Sequence, residues 1–454
     1  ATRGAYALPQ LAQDYLHIPP ADETALQPES VLAIRTACID GLTEELGKRL
    51  REQGMQPLFE NIELPLCPVL AHMEHDGILV DAQALHDFGE MLSERIDACE
   101  SLIFGYAGET FNLNSTRQLG VFLFETLGLP PVKKTKSGYS TNAEVLEKLR
   151  DRHPAVQAIM DYRMLTKLKS TYADGLQKVI GPDGRIRTTF QNTVTATGRL
   201  SSTDPNLQNI PVRTELGSEI RRMFVPRPGW VLVDADYSQI ELRVLAHIAD
   251  DTRMQEAFRS GEDFHAVTAS QVFGVPLESV TPLMRRHAKA VNFGIVYGIS
   301  EFSLAQDIGV SRAEAKAYID SYLEKYSGVR AYMHDIKETA REKGYVETIF
   351  GRRRAIPEIK SSNFNVRSGA ERIALNTPVQ GSAADIIKLA MVRVFHALDG
   401  LQARLLLQVL IVECPQEEAQ QVMQIVTNEM EHAAALRVPL VAEAKQGESW
   451  YAAK

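Results

Sequence analysis

The spacing of apolar residues predicts which parts of the chain form helices and which form strands. Up to about residue 58, leucines recur among polar residues as helices require, and residues 79–180 carry apolar side chains three and four positions apart. Near residue 181 the period changes to the alternation of a strand, which predicts strands over 185–195 and 230–233. The first half of the chain is therefore predicted to be helical and then to enter a sheet.

Helical spacing returns over residues 246–355, and the C-terminal part mixes both patterns. A helix is predicted over 383–398, apolar strand material over 405–412 and a closing helix over 417–435. Helices, a sheet that carries acidic residues, more helices and then sheet again predict an α+β, multidomain chain with inserted helical domains. At 454 residues the chain exceeds the size of one core, so two to four domains are expected.

Composition and charge narrow the class of protein. The formal net charge of -9 argues against a protein that attracts nucleic acid with its whole surface, so any such binding depends on local groups of Lys and Arg. The four cysteines are scattered, which favours reduced structural cysteines over a zinc site or a disulfide framework. No apolar run approaches the roughly 20 residues that span a bilayer. The chain begins at Ala1 without a signal-peptide pattern or a Met, so a cytoplasmic fragment is expected.

An aspartate at the end of the strand predicted over 230–233 is a candidate metal ligand. Asp236 follows apolar residues that form a rigid element, which can present a carboxylate to a cleft. Carboxylates suit Mg²⁺, which fills its other positions with water and substrate phosphate. Asp234, two residues earlier, is expected to face the same side of the strand. Taken alone, Asp236 has the alternative of being a capping or surface acid.

A helix predicted over residues 284–299 favours the metal-site interpretation, because two cations and two aromatics follow each other along it at steps of four. These residues are Arg285, Lys289, Phe293 and Tyr297. Positions with this spacing lie on one slowly drifting face of a helix, and the alternative is cations that merely reach solvent past an apolar surface. Gly294 and Gly298 are expected to leave room for a planar base. The pattern indicates positive charge for a triphosphate and aromatics for a base.

These two segments resemble motifs A and B of family A DNA polymerases, the DNA polymerase I-like enzymes. Further segments match the family's motifs, and the similarity covers almost the whole chain from about residue 60. The matching segments are Val233–Arg243, Arg285–Gly298, Thr197–Ser202, Asp204–Pro211, Asp263–His265 and Pro378–Asp385. So many long motifs in one order make a chance agreement negligible.

The resemblance implies a large fragment shaped like a right hand, with an antiparallel palm sheet, a helical thumb and helical fingers, plus the remnant of an α/β exonuclease-like domain. The implied divisions are 1–58 for the inactive exonuclease remnant, 59–79 and 181–245 for the first palm parts, 80–180 for the thumb, 246–360 for the fingers and 361–454 for the C-terminal palm. The remnant lacks the paired acids of an Asp-x-Glu motif, so no proofreading is expected. A 5′-nuclease domain has no counterpart in the sequence, so that activity is not expected either.

Template-directed DNA synthesis is the activity that the resemblance implies. A primer 3′-hydroxyl would attack the α-phosphate of a deoxynucleoside triphosphate, clamped by two Mg²⁺ ions for which Mn²⁺ can substitute. By resemblance, Asp236 would bind both ions with the Tyr237 backbone carbonyl. Tyr237 and Gln239 would lie at the incoming nucleotide, and Glu241 would crowd a ribose 2′-hydroxyl and so select deoxynucleotides.

The other roles that the resemblance implies concern the triphosphate and the DNA. His265, Arg285 and Lys289 would hold the triphosphate, with Lys289 also the candidate general acid toward pyrophosphate. Phe293 would pack on the sugar and base, where it goes with discrimination against dideoxynucleotides, and Tyr297 would stack near the template base. The residues expected to contact the primer-template are Arg199, Arg213, Arg372, Asn376, Gln380, Asn206 and Gln208.

One motif of the family is missing. The second metal-binding carboxylate comes from a His-Asp-Glu at the tip of a β-hairpin in the family, and nothing stands between Val409 and Leu410 where that tip is expected. Glu413 lies too far along the second strand to replace it. The unbroken apolar run also lacks turn residues, so the strands are not expected to reverse direction there without strain. Three interpretations stay open: tip residues missing from the sequence but present in the molecule, a deliberate deletion that traps a complex, or a naturally inactive variant.

The missing motif keeps two other functions in consideration. One is a catalytically inactive protein that binds primer-template DNA. The other is a single-subunit RNA polymerase, which shares the hand and against which Glu241 argues. The expected partners are primer-template DNA and deoxynucleoside triphosphates, and the protein is expected to be a cytoplasmic monomer that associates with the bacterial nucleoid and not with a membrane.

Overall fold

The computed structural model of the protein describes residues 6–20, 25–135, 138–211, 214–408 and 410–454. The chain divides into two compact units. The first comprises Ala1–His75, Phe190–Ser201 and Val233–Gln446, and the second comprises Asp76–Thr189, Ser202–Leu232 and Gly447–Lys454. The finer division into palm, thumb and fingers stays a prediction, whereas the predicted α+β fold class is confirmed.

The bounds of the regular elements are as follows, with labels in chain order. The α-helices α1 to α19 are Leu8–Leu11, Pro28–Glu52, Gln56–Leu58, Leu64–Asp76, Ala82–Ala107, Thr116–Val121, Ala143–Leu149, Pro154–Leu168, Asp174–Gln177, Glu215–Glu219, Ile240–Ile248, Thr252–Arg259, Phe264–Phe273, Pro282–Val296, Glu301–Ile308, Arg312–Lys325, Ser327–Lys343, Phe364–Ala397 and Ala419–Glu431. The strands β1 to β12 are Ile78–Leu79, Lys134–Thr135, Gly138–Tyr139, Arg185–Ile186, Thr189–Gln191, Ser201–Thr203, Trp230–Tyr237, Tyr345–Glu347, Arg353–Ala355, Arg404–Leu407, Ile411–Pro415 and Ala442–Gly447.

A four-stranded sheet in the order β10–β11–β7–β12 forms the core of the first unit. β7 lies between two neighbours, and its residues Val231–Ala235 are buried. The end of β7 is held from both sides, since the Ala235 N–H donates to the Leu410 carbonyl at 3.3 Å and the Ser238 N–H donates to the Val441 carbonyl at 2.9 Å. Asp236 and Tyr237 lie between these two bonds, so Asp236 is held on a rigid strand.

Side-chain caps begin α13, α14 and α18, which carry candidate site residues, whereas α11 has no such cap. Asp263 accepts from two backbone N–H groups at the start of α13, and Thr281 caps α14, which has a proline in its first positions. Asn363 caps the 34-residue helix α18 in the same manner. These caps satisfy N–H groups that a helix leaves unpaired at its start, so the sequence defines where each helix begins.

The second unit is mainly helical and has an apolar core of its own. Helices α5 and α8 pack against each other, and shorter helices complete the unit. Its core combines leucine, valine and phenylalanine side chains from α6 to α8. The core residues include Leu119, Phe122, Leu123, Val145, Leu146, Val156 and Ile159. The predicted helical character of residues 79–180 is therefore confirmed.

Several predicted boundaries differ from the observed ones. The strand predicted over 185–195 is two short strands, β4 and β5, and the helix predicted over 383–398 is the end of the longer α18. The closing helix is Ala419–Glu431. The helix predicted over 284–299 ends at Val296, because Gly298 adopts a left-handed φ of +65°.

No helix within the described ranges is both long enough and apolar enough to cross a bilayer.

Candidate active site

Asp236 lies near the end of a strand, which is followed by a turn and then by a helix. It is the next-to-last residue of β7, which continues to Tyr237 rather than ending at residue 233 as predicted. The Asp236 side chain is exposed, and its Oδ1 accepts from the Tyr237 N–H at 2.8 Å. Gln239 follows with a left-handed φ of 55° and turns the chain into α11. Asp234, expected on the same side as Asp236, is only 5% exposed and offers no accessible carboxylate.

The Tyr237 side chain anchors the end of β7 to helix α19. Its hydroxyl donates to the Met430 carbonyl of α19 at 2.7 Å, and burial raises the pKa of this phenol. The side chain is therefore neutral and structural, which leaves only the backbone carbonyl of Tyr237 for the predicted metal contact.

Glu241, in the first turn of α11, is 7% exposed and holds two partners. It forms an ion pair with Arg199, and the Tyr297 hydroxyl donates to its Oε2 at 2.8 Å. Burial, followed by the charge of Glu241, raises the pKa of Tyr297 to about 12, so this hydroxyl keeps its proton at neutral pH. The structure thus joins three residues that the sequence places in separate segments.

Helix α14 carries the predicted row of cations and aromatics on its open side. Arg285, Lys289 and Tyr297 are exposed, and Phe293 is half-buried, whereas Ala288 between them is buried. The Arg285 guanidinium pairs with Asp263 at 2.6 Å, so the cap of α13 also orients a cation of α14. The row therefore presents positive charge at one end and aromatic surface at the other.

The two glycines of this segment fit closely against the protein's own side chains, and their predicted role of admitting a base stays a prediction. A Cβ at Gly294 would lie 2.6 Å from Ile299, and one at Gly298 would lie 3.1 Å from Arg372 in a left-handed backbone position. Any larger residue there would displace neighbouring side chains.

His265 lies in the first turn of α13 and is 3% exposed. Its Nδ1 is 3.0 Å from the Asn292 side-chain nitrogen, and its ring centroid is 5.7 Å from that of Phe293. Burial, opposed by Asp263 but aided by the positive charges of Arg285 and Lys289, lowers the pKa of His265 to about 4. At neutral pH this imidazole is uncharged.

Three of the predicted DNA-contacting residues follow each other at steps of four along α18. They are Arg372, Asn376 and Gln380. Arg372 is exposed and the other two are half-buried. The Asn376 Oδ1 is buried, and within the described part of the chain it has no hydrogen-bond partner. A substrate hydrogen-bond donor would satisfy it.

Two of the other predicted DNA contacts, Asn206 and Gln208, belong to the second unit, whereas Arg199 belongs to the first. Asn206 is exposed, and its Oδ1 accepts from the Gln208 N–H at 3.0 Å and from the Asn209 N–H at 3.2 Å, which shapes a local turn. Arg213 lies outside the described residues.

The two strands of the hairpin pair with each other although few residues connect them, and the strain that the sequence predicts for this turn agrees with an irregular register. Leu407 of β10 pairs with Ile411 of β11, so only three residues connect the strands, and the register shifts between Leu405 and Leu407. Leu410 is 2% exposed, and its carbonyl accepts from Ala235 N–H, next to Asp236. The short connection leaves one hydrogen bond unmade, since the buried Oε1 of Gln408 lacks a partner among the described residues. The expected position of the second acid therefore lies beside Asp236 but contains apolar residues.

The described residues do not fit the predicted pair of magnesium ions. Within the described part of the chain, no group of three or more acids, histidines and cysteines could hold a metal. Glu413 is fully buried within β11, opposite Arg404 in the ladder, as its distance along the strand predicted. Asp236 alone offers one carboxylate, which suits a single Mg²⁺ shared with substrate phosphates but not a two-ion clamp.

A buried cluster of four charges supports this site, and no sequence pattern indicated it. On α18, Lys388 is 1% exposed and donates to Glu63 at 2.7 Å, and Asp385 accepts from Arg352 at 2.6 Å. Arg352 also pairs with Glu63 and contacts the backbone of Gly198, where a Cβ would lie 2.5 Å from its Nε. Glu63, Arg352 and the neighbouring pair Asp385 and Lys388 come from three separate segments, so only the fold brings them together near Gly198, next to Arg199.

The folded site and the sequence comparisons agree on the class of protein. The chain matches the profile of DNA polymerase family A over residues 82–452, and it belongs to that family, as the motifs predicted. It is 50% identical over 460 residues to DNA polymerase I of Caldicellulosiruptor bescii, covering 100% of this chain and 54% of that protein. It is 52% identical over 464 residues to DNA polymerase I of Bacillus subtilis, covering 98% and 53%.

A solved structure is similar over nearly the full chain. The POL domain of Pol1 from M. smegmatis, in complex with DNA primer-template and dNTP, has a TM-score of 0.93 and 43% sequence identity, and the match covers 99% of this chain and 80% of that one. The chain spans about half the length of the two DNA polymerase I relatives.

Proposed function

We propose that this chain binds a primer-template and an incoming deoxynucleoside triphosphate and carries out template-directed DNA synthesis. In that reaction the primer 3′-hydroxyl attacks the α-phosphate and pyrophosphate leaves. The observation that carries the proposal is the open face of α14, where Arg285 and Lys289 precede Phe293 and Tyr297, with Glu241 bonded to Tyr297. The similar Pol1 domain was solved with DNA primer-template and dNTP, which supports these ligands.

Different residues along the α14 row would bind different parts of a nucleotide. Arg285 and Lys289 supply the positive charge that a triphosphate requires, and His265 adds an uncharged hydrogen-bond donor. Phe293 offers a ring edge for the sugar and base, and Tyr297 is exposed for stacking near the template base. Lys289 is the candidate general acid toward pyrophosphate.

Glu241 supports selection of deoxynucleotides. Arg199 and Tyr297 hold its carboxylate in one place, and burial leaves it little room to move. A fixed carboxylate crowds a ribose 2′-hydroxyl, which favours a DNA polymerase over the RNA polymerase alternative. We expect Glu241→Ala to raise rNTP incorporation relative to dNTP incorporation by about tenfold or more, measured by single-nucleotide extension. An unchanged ratio would remove the assigned role.

A second candidate function, binding without turnover, is favoured by the closed hairpin. Leu410 occupies the place beside Asp236 where the family has an acid, so the nucleotidyl transfer is deprived of a metal ligand. Mg²⁺ held by Asp236 and the triphosphate is the cofactor that we propose. A monomer and association with the nucleoid stay predictions.

A ternary-complex measurement tests the proposed function without requiring catalysis. A fluorescent primer-template with a dideoxy-terminated primer is titrated with the protein in Mg²⁺, with each of the four dNTPs in turn. The dNTP that pairs with the next template base should tighten binding more than the other three. Equal effects of all four dNTPs, or none, would contradict template-directed nucleotide binding.

A further inference from the structure

A buried hydrogen-bonded chain extends from His265 into the helices behind it. Asn292 of α14 is 0% exposed, and its Nδ2 lies 3.0 Å from His265 Nδ1 and 3.2 Å from Thr268 Oγ1. The Thr268 hydroxyl in turn donates to the Phe264 carbonyl at 2.8 Å. Tyr326 completes the chain, with its hydroxyl 3.3 Å from Thr268. None of these partners of His265 was assigned a role from the sequence.

The chain of donors determines which nitrogen of His265 carries the proton. The Thr268 hydroxyl lies 2.8 Å from the Phe264 carbonyl and 3.3 Å from Asn292 Oδ1, so its proton goes to the shorter contact. Its oxygen then accepts from Asn292 Nδ2 at 3.2 Å. An amide turned the other way would set Oδ1 against an oxygen whose proton is already engaged. With Nδ2 facing His265, the histidine Nδ1 must accept, so the proton of a neutral ring stays on Nε2.

The charged groups around His265 also favour the neutral ring. Arg285 and Lys289 of α14 oppose a positive charge on it, and Asp263 at the start of its own helix favours one but is already paired with Arg285. Burial adds to the cations and keeps the pKa of His265 near 4. A ring in this setting contributes a hydrogen-bond donor without charge.

We propose that Asn292 is a positioning residue that holds His265 as the Nε2–H tautomer, so that His265 donates a hydrogen bond to a phosphate oxygen of the nucleotide and adds no third positive charge beside Arg285 and Lys289. The identity of the ligand rests on the proposed function, whereas the tautomer rests on the geometry of the unliganded protein. Two cations together with a neutral donor hold a triphosphate while leaving it able to depart as pyrophosphate.

Nitrogen-15 NMR of the histidine rings reads the tautomer directly in the unliganded protein. The His265 signal is identified by its loss in His265→Gln. We expect a protonated Nε2 and an unprotonated Nδ1, with no titration between pH 5.5 and 8. A ring protonated on Nδ1, or one that titrates in that range, would overturn the proposal whatever the protein binds.

Two substitutions at Asn292 test whether the tautomer matters for the nucleotide. In Asn292→Asp the carboxylate accepts from Nδ1–H, so the proton is expected to move to Nδ1 and the ring to titrate near neutrality. Asn292→Leu removes the bond without adding charge. At pH 8.5, where the ring is neutral, both variants should raise the Kd of the next correct dNTP in the ternary complex by about tenfold, the usual effect of losing one hydrogen bond to a charged group. Thr268→Val removes the hydroxyl that orients the Asn292 amide, so it should raise the same Kd by a smaller factor.

The outcomes separate this inference from the proposed function. If wild-type protein shows the expected tautomer and nucleotide selection but Asn292→Leu binds the dNTP as tightly as wild type, the positioning role is wrong and the proposed function stands. If wild-type protein shows the tautomer but no nucleotide selection, the proposed function fails, and the assignment of the phosphate as partner fails with it. Circular dichroism of each variant confirms that it is folded.

Discussion

Helix α14 and the β10–β11 hairpin both contribute to the candidate site of the first unit, and they differ in how complete they are. α14 presents its predicted cations and aromatics on one open face. Leu410 of the hairpin lies next to Asp236, because its carbonyl accepts from the Ala235 N–H, but the connection between the two strands is short and apolar. A function carried by one helix survives as long as the helix folds, whereas a metal site that needs acids from two strands is lost with a few residues of one turn.

The comparison indicates that binding and chemistry can separate in this chain. The residues that would hold a nucleotide depend on α11, α13 and α14, none of which contributes to the hairpin.

Insertion of His-Asp-Glu between Val409 and Leu410 should convert the hairpin into the complete form. The new acid would lie near Asp236 because Leu410 is already bonded to Ala235. Since a metal ligand contributes several kcal/mol to transition-state stabilisation, we expect primer extension to rise by about a thousandfold or more. A control insertion of His-Asn-Gln has the same length without the carboxylates. Equal activity of both insertions would show that the length of the turn, and not its charge, limits the reaction.

Substitution of Lys388 by Met tests how much the buried ion pair with Glu63 contributes to the free energy of unfolding. Lys388 is buried and paired with Glu63, and its loss leaves the cluster with an excess negative charge. Breaking a buried ion pair costs roughly 3 kcal/mol or more of the free energy of unfolding. The control is Lys316→Met, which removes an exposed ion pair with Asp320. If urea denaturation finds equal small changes for both variants, the cluster does not stabilise the fold.

Acid should destabilise the protein in part through His265. Its pKa is about 4 in the folded protein against 6.5 when exposed, so the unfolded chain binds more protons between these values. The free energy of unfolding should therefore fall as the pH drops from 6.5 to 4, with up to about 3 kcal/mol due to this residue. His265→Gln should show a smaller loss between pH 7 and 4.5 in urea denaturation, whereas the exposed His396→Gln should match the wild type. The same loss in all three proteins would contradict the assignment.

Replacement of Lys289 by Ala should affect nucleotide incorporation far more than DNA binding. In the variant with the restored hairpin, we expect incorporation to slow by about a hundredfold, because the triphosphate and its leaving group lose a cation. Arg286→Ala removes an equally exposed cation of α14 that lies off the row, and it should change little. Single-turnover extension gives the rate, and fluorescence anisotropy gives the DNA affinity. Equal losses in both quantities would refute the role of Lys289.

Periodicity and motifs predicted the parts of the site that lie within single elements. The row of cations and aromatics along α14 depends on local spacing, and so does the position of Asp236 at the end of an apolar strand. Arg285, Lys289 and Phe293 lie in α14, and Asp236 lies in β7. The sequence predicted strain at the hairpin, and the register shift between Leu405 and Leu407 agrees with it, as does the Gln408 Oε1 that has no partner among the described residues. At Gly294 the structure adds a packing reason that no spacing along the chain reveals, since a Cβ there would lie 2.6 Å from Ile299.

The amino-acid sequence by itself determined the family, the order of helices and strands, and the chemical groups available for a nucleotide. These features are encoded by residue type and short-range spacing, which need no knowledge of distant contacts. Only the tertiary structure decided which groups are charged, shielded or paired. Burial and the nearby charges of Arg285 and Lys289 make His265 neutral, and distant segments bring Glu63 against the buried Lys388. Such effects depend on distances across the fold, because electrostatic energy varies with separation and with the exclusion of water.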